Sequence, residues 1–178
     1  MQDFFNQFFA INNGKSIEVQ DITNKYQCMD LIFAWCNFLK IPLLTVAHLY
    51  AYQVWTQPTA LTKQYFDLIP NSATNVPAIG DIIVFSTTVG YAGHVAVETG
   101  KSNSTNLISF DQNWGGKQYA TTITHYNYYG ILGWLHPKTQ PVTDDQIVRE
   151  IQTEINGGNP PTTKIANNIS ILKKYGKI

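Results

Sequence analysis

The run from Cys28 to Leu39 constrains this chain more than any other stretch, because it is apolar nearly all round and is interrupted chiefly by Asp30 and Asn37. Such a pattern belongs to a helix packed inside a domain, not to one lying on its surface. Pro42 soon ends it. A helix of this kind needs apolar partners on every side, and 178 residues with 44% apolar and 13% aromatic content can supply them in one well-cored domain plus a small appendage. The same helix opens on a thiol. Cys28 in the first turn meets the positive end of the helix dipole and unpaired backbone N–H groups, conditions that favour thiolate and can later hold an oxyanion. An isolated cysteine here would more often be a small buried hydrophobe, so the case for chemistry rests on its partners.

Charge and cysteine usage narrow the classes further. Twelve basic residues balance twelve acidic ones, so neither the phosphates of nucleic acid nor an anionic membrane surface is an expected partner. A ligand must be found by shape and polar contacts. Cys36 stands about 12 Å up the same helix from Cys28, too far for a disulfide, and reads as packing. The start, Met1-Gln2-Asp3-Phe4-Phe5, has no basic region, and no apolar run approaches membrane-spanning length. No signal peptide and no membrane span are expected, and nothing in the sequence sets the oligomeric state.

Taken in order, residues 2–11 place Phe4, Phe5, Phe8, Phe9 and Ile11 at helical spacing, and Asn13-Gly14 ends that helix. A polar loop to Lys25 follows, in which Asp21 and Asn24 can support turns or bind a cation. Thr45 can cap a helix over 46–55 that carries His48, a histidine among aromatic neighbours and more often structural than chemical. Residues 56–79, with Pro58, Pro70 and Pro77, read as irregular. Then the character changes. Asp81–Ser86, Gly93–Thr99, Asn106–Phe110, Ala120–Thr124 and Tyr129–Leu135 are short β-branched or aromatic runs separated by Gly, Ser and Asn, which predicts an antiparallel sheet. Helices first and strands afterwards make an α+β fold. Residues 138–142 read as a linker after the 1–137 domain, and residues 143–178 as a small helical hairpin of unassigned role.

The hairpin of residues 93–99 and 106–113 carries the strongest local argument. If Thr99 and Asn106 flank its loop, His94 lies opposite Asp111. Alternation then sends Val95, Val97, Ile108 and Phe110 to the core, and His94, Ala96, Ser109, Asp111 and Asn113 to an open face. With Cys28 presented above that face, a thiol nucleophile, a histidine base and an orienting carboxylate come together. A plain surface His–Asp pair is the alternative.

Four segments in order resemble the signatures of CHAP domains, the cysteine- and histidine-dependent amidohydrolases/peptidases common in phage endolysins. They are Tyr26-Gln27-Cys28-Met29-Asp30-Leu31, Pro77-Ala78-Ile79-Gly80-Asp81-Ile82-Ile83-Val84-Phe85, Gly93-His94-Val95-Ala96-Val97 and Asp111-Gln112-Asn113-Trp114. The resemblance covers roughly residues 2–137 and is far more specific than a Gln-Cys pair alone. It implies a papain-like α+β fold and hydrolysis of amide bonds in bacterial peptidoglycan. Cys28 would be the nucleophile and His94 the base, with Asp111 or Asn113 orienting it. The Cys28 N–H and the Gln27 side chain would hold the oxyanion. Such a lysin would stay in the host cytoplasm until released to the wall, or travel with the virion. The rivals are another thiol amidase, such as a glutathionylspermidine amidase, and a catalytically silent wall-binding or phage structural module.

Calcium enters through the same resemblance. Several CHAP domains carry two aspartates before the nucleophile and a third just after it, as an oxygen cage. This chain has Asp21 and Asp30 at two of those places, but Val19 at the third and Lys25 inside the loop. Calcium wants six to eight oxygens. The expectation is therefore that no cofactor is required and that calcium is at most a weak helper, with Glu18 as a substitute ligand and Asp30 otherwise serving as a helix cap.

Overall fold

The computed structural model describes residues 1–19, 24–41 and 50–138. Contacts divide the chain into Met1–Gln140 and Pro141–Ile178, and the account below concerns the first unit. The expected hairpin over 143–178, most of the 138–142 linker, His48 and Asp21 lie outside the described residues.

Helices α1 (Gln2–Asn12) and α2 (Cys28–Phe38) come first, followed by the short α3 (Gln53–Thr56) and α4 (Ala60–Tyr65). Six strands complete the unit: β1 (Phe66–Pro70), β2 (Ile82–Phe85), β3 (His94–Glu98), β4 (Asn106–Asp111), β5 (Thr121–Tyr126) and β6 (Ile131–Pro137). They form one sheet in the order β1-β6-β2-β3-β4-β5, with every pairing antiparallel. The architecture is the α+β one expected.

The apolar character of α2 is explained by what surrounds it. Leu31, Ile32, Phe33, Trp35 and Cys36 are all buried, and they pack with Val84, Val95, Val97 and Phe110 from one face of the sheet. From the other side α1 lays Phe8 5.0 Å from the Trp35 ring and Phe9 5.0 Å from Phe110. These buried side chains anchor the helix whose first residue is Cys28. Burying each contributes on the order of 1.5–3 kcal/mol against exposure, so the position of that residue is set by the core.

Three expectations need correction. Residues 56–79 are not uniformly irregular, since they hold α4 and the edge strand β1, whose Leu68 pairs with Leu135. Flanking prolines masked it, and Pro70 is tolerated because it ends an edge strand. The β3–β4 hairpin is offset from the expected register: Val97 faces Phe110 and Glu98 faces Ser109, where Ile108 and Leu107 were expected. The cause is the loop. Ser102 Oγ accepts from the Ile108 amide at 2.8 Å and donates to Glu98 Oε2 at 2.6 Å, tying the loop to both strands in the shifted register. Because the offset is two residues, every side chain keeps its face. Finally, the His94 face is not open. Ile83, Phe85, Ala96, Leu107 and Trp134 form a second buried cluster there, joined by Val89, Trp114 and Tyr128.

Candidate active site

Cys28 is the first residue of α2 and is half-buried. Its approach is unusual, because Tyr26 adopts φ 59°, the left-handed region that costs a side-chain-bearing residue on the order of 1–3 kcal/mol. The loop is held there from three directions. The Tyr26 amide donates to Glu18 Oε2 at 2.9 Å, the Gln27 amide to Asp30 Oδ2 at 2.8 Å, and the Val19 amide to Asp30 Oδ1 at 3.2 Å. Asp30 is thus the helix cap the sequence offered as one reading, and its charge favours the helix dipole.

The end of β4 reaches the other side of this loop. The buried Gln112 accepts from the Ile17 amide at 2.8 Å and donates to the carbonyls of Ile17 and Gln27, both at 2.9 Å. Asn113 turns into the left-handed region at φ 64°, which asparagine tolerates well. From there its Nδ2 donates to Gln27 Oε1 at 3.0 Å, while Gln27 Nε2 donates to the Lys25 carbonyl at 3.0 Å. The Gln27 amide is therefore oriented at both ends and keeps a second N–H. Asn113 touches Gln27, and it is Asp111 that touches His94.

His94 opens β3 with Nε2 2.7 Å from Asp111 Oδ1. Both are buried, at 5% and 1% exposure, so neither charge is solvated and the pair must satisfy itself. Cys28 is the other group whose charge and hydrogen bonding act on the imidazole. Burial alone pushes the His94 imidazolium down, but charge and hydrogen bonding from Cys28 and Asp111 outweigh it and hold His94 up at about 10. Asp111 shows the same contest. Burial raises it, yet hydrogen bonds from His125 and His94 keep its carboxyl below the usual range. In the low local dielectric, the arrangement favours a charged imidazole against the Asp111 carboxylate.

Asp111 has further partners that the sequence did not reveal. Ser109 Oγ donates to Asp111 Oδ2 at 2.6 Å, and His125 Nε2 lies 2.9 Å from Ser109 Oγ and 3.3 Å from Asp111 Oδ2. Ser109 was placed on this face by alternation, but no local signal marked His125, which comes from β5. Gln112 carried a readable hint, since a glutamine on a core-facing position of a strand must find buried partners. Trp114 closes the site, with its ring 4.9 Å from His94 and 4.4 Å from His125, both edge-on, and Phe85 packs beneath all three. A cleft of about 440 Å³ opens beside it, lined by Val89, Trp114, Thr124, His125, Tyr126 and Tyr129.

Cys36 has no part in this arrangement. It is fully buried, and burial pushes its thiol up to about 12. Among the described residues, no three His, Cys, Asp or Glu side chains converge as a metal set. For a hard cation near the loop, the donors fit in kind: Glu18 Oε1 is buried without a hydrogen-bond partner, and Asp30 supplies a second carboxylate, although both its oxygens already accept backbone N–H groups.

Residues 19–113, which run from the loop before Cys28 to the end of the Asp111-Gln112-Asn113 segment, match the CHAP domain. This chain belongs to that family. The CHAP chain is 30% identical over 135 residues to a probable autolysin PH of Staphylococcus aureus (strain NCTC 8325 / PS 47), an alignment that takes in 69% of this chain and 27% of the autolysin. Its fold resembles that of the endolysin LysIME-EF1, with a TM-score of 0.60, 22% identity, and 80% of this chain set against 65% of that one. It also resembles Ly7917, with a TM-score of 0.54, 17% identity, and coverage of 77% and 62%. The chain thus spans about a quarter of the autolysin and under two thirds of either of these solved chains.

Proposed function

We propose that the protein is a peptidoglycan hydrolase that cuts an amide bond by thiol catalysis. The observation that carries this reading is the buried His94, held 2.7 Å from Asp111 and acted on by Cys28, in a CHAP domain. The autolysin and endolysin names of its relatives support the same substrate.

In this reading Cys28 Sγ attacks the amide carbon, forming an S–C bond and a tetrahedral oxyanion. The Cys28 N–H at the start of α2 and the second N–H of Gln27 face the developing charge. His94 holds its Nε2 against Asp111, so Nδ1 carries the proton that goes to the departing amine. The C–N bond breaks and leaves a thioester. Water then attacks it, giving its proton to His94, and the acid product leaves with Cys28 restored. Asp111 orients the imidazole and stabilises its cation. Gln112 and Asn113 hold the Cys28 loop and the Gln27 amide in register with it.

Residues 1–137 carry this catalysis, with 138–142 as linker and 143–178 as an appendage. The protein acts at the bacterial wall, reached by release from the host cytoplasm or on the virion. No helix among the described residues is long and apolar enough to cross a membrane. Calcium would be a weak helper, held by Glu18 and Asp30, where it would brace the loop before Cys28. Zymography on purified cell walls with wild type and Cys28→Ala tests the proposal. Clearing by the wild type alone is expected. Equal clearing by Cys28→Ala, or none by either protein, would sink it. Mass spectrometry of the released fragments then separates a sugar–peptide amidase, which frees the stem peptide, from an endopeptidase, which opens a peptide bond.

A further inference from the structure

We propose that His125 is a positioning residue of this site, holding the Asp111 carboxylate so that its other oxygen meets His94. The inference rests on the thiol-hydrolase reading above and adds a residue that the nucleophile, base and carboxylate do not require.

Hydrogen accounting carries the argument. Ser109 has one hydroxyl hydrogen, and its 2.6 Å contact with Asp111 Oδ2 uses it. His125 Nε2 therefore faces only acceptors, a hydroxyl lone pair at 2.9 Å and a carboxylate oxygen at 3.3 Å, so Nε2 carries the hydrogen. The two oxygens of Asp111 are then divided. Oδ1 serves His94, and Oδ2 is held by Ser109 and His125 together. The carboxylate cannot rotate toward or away from His94 without breaking bonds on both oxygens. His125 itself is fixed, being 7% exposed and packed between Phe85 at 5.0 Å and the Trp114 edge at 4.4 Å. Ser109 alone would leave Oδ2 a single short bond on a freely turning hydroxyl. A ring locked between two aromatic side chains supplies the rigidity.

His125→Phe keeps a flat ring against Phe85 and Trp114 and in the wall of the cleft, but removes the donor. His125→Gln places an amide N–H near the position of Nε2. Initial rates of wall lysis against wall concentration should show a fall in kcat of roughly 10–100-fold for His125→Phe, in the range found for outer partners that orient a reacting group, with KM little changed. His125→Gln should recover most of that loss. The rate of Cys28 alkylation by iodoacetamide, which needs no substrate, should follow the same order. If His125→Phe keeps kcat and alkylation rate within about twofold, or if His125→Gln does no better than His125→Phe, the positioning role is wrong. Should His125→Phe fail to fold, a cycle of Ser109→Ala and His125→Leu, which also removes the donor, decides. Losses smaller in combination than their product are expected from two groups acting on one oxygen, and fully multiplicative losses would overturn the assignment. Lysis that persists in Cys28→Ala would instead remove the hydrolase reading, and the alkylation rates would still test His125.

Discussion

Gln112, the residue that follows β4, donates a 2.9 Å hydrogen bond to the carbonyl of Gln27, the residue immediately before Cys28. The same side chain holds both backbone groups of Ile17, so one buried amide ties the sheet to the loop that presents the thiol. Gln112→Leu keeps the volume but takes the partner from both backbone groups of Ile17 and leaves the Gln27 carbonyl only its bond from the Asp30 amide. A loss of about 2–4 kcal/mol is expected from urea unfolding. Lysis should fall at temperatures where the variant is still folded. An unfolding midpoint equal to wild type would show that the clamp is dispensable.

Iodoacetamide should label Cys28 stoichiometrically, with loss of lysis in proportion, and leave Cys36 unlabelled in the folded protein. Cys36 is fully buried, with its thiol pushed up to about 12, so its thiolate is scarce and unreachable. Peptide mapping reads the result directly. A label on Cys36 ahead of Cys28 would remove Cys28 from the nucleophile's role.

Asp111→Ala should lower kcat by roughly 10²–10⁴-fold, as removal of orienting carboxylates does in other triads. It should also lower Tm, because His94 and His125 lose a common acceptor inside the protein. His94→Ala should abolish lysis and likewise cost stability, since the imidazole is buried and not on an open surface. Asn113→Ala should be milder, acting through Gln27 alone. If Asn113→Ala proves more damaging than Asp111→Ala, the orienting role belongs there.

Glu98 sits buried on the same sheet face, accepting from Ser102 and Gly100, and burial raises it from 4.5 to about 7, with Asp81 adding to the rise. An acid raised on folding stabilises the protein fully below its unfolded pKa and loses that contribution as pH rises through the folded one. Its contribution should therefore fade between about pH 4.5 and about 7. Burial moves Asp81 the same way, to about 6. Melting temperature measured across this window should show a falling component that Glu98→Gln reduces. An unaltered profile in Glu98→Gln would place the titration elsewhere.

Chelation tests the weak role proposed for calcium. With EDTA, lysis should persist and Tm should drop by no more than a few degrees, recovering in millimolar calcium but not in Glu18→Gln. Complete loss of lysis with full recovery on calcium alone would make the ion a requirement.

Some of this protein was determined by its sequence alone, because the signals involved are local. Periodicity marks α2 as buried from Cys28 onward, and alternation puts His94, Ser109 and Asp111 on one face whatever the loop does by steps of two. That parity survived the offset of the hairpin, and the His94–Asp111 contact survived with it. Tertiary structure decided the rest. The edge strand β1 exists through pairing with β6, far along the chain, and no window around Leu68 contains that partner. Both sheet faces are buried because Trp114 and Val89 fold over the second one, which alternation cannot see. The division of labour among Asp111, Gln112 and Asn113 is likewise a matter of what each meets: His94, the Gln27 carbonyl and the Gln27 amide. Hydrogen-bond partners of buried polar groups are set by which distant segments the core brings within 3 Å or so, and that distance is a property of the folded chain, not of neighbouring letters.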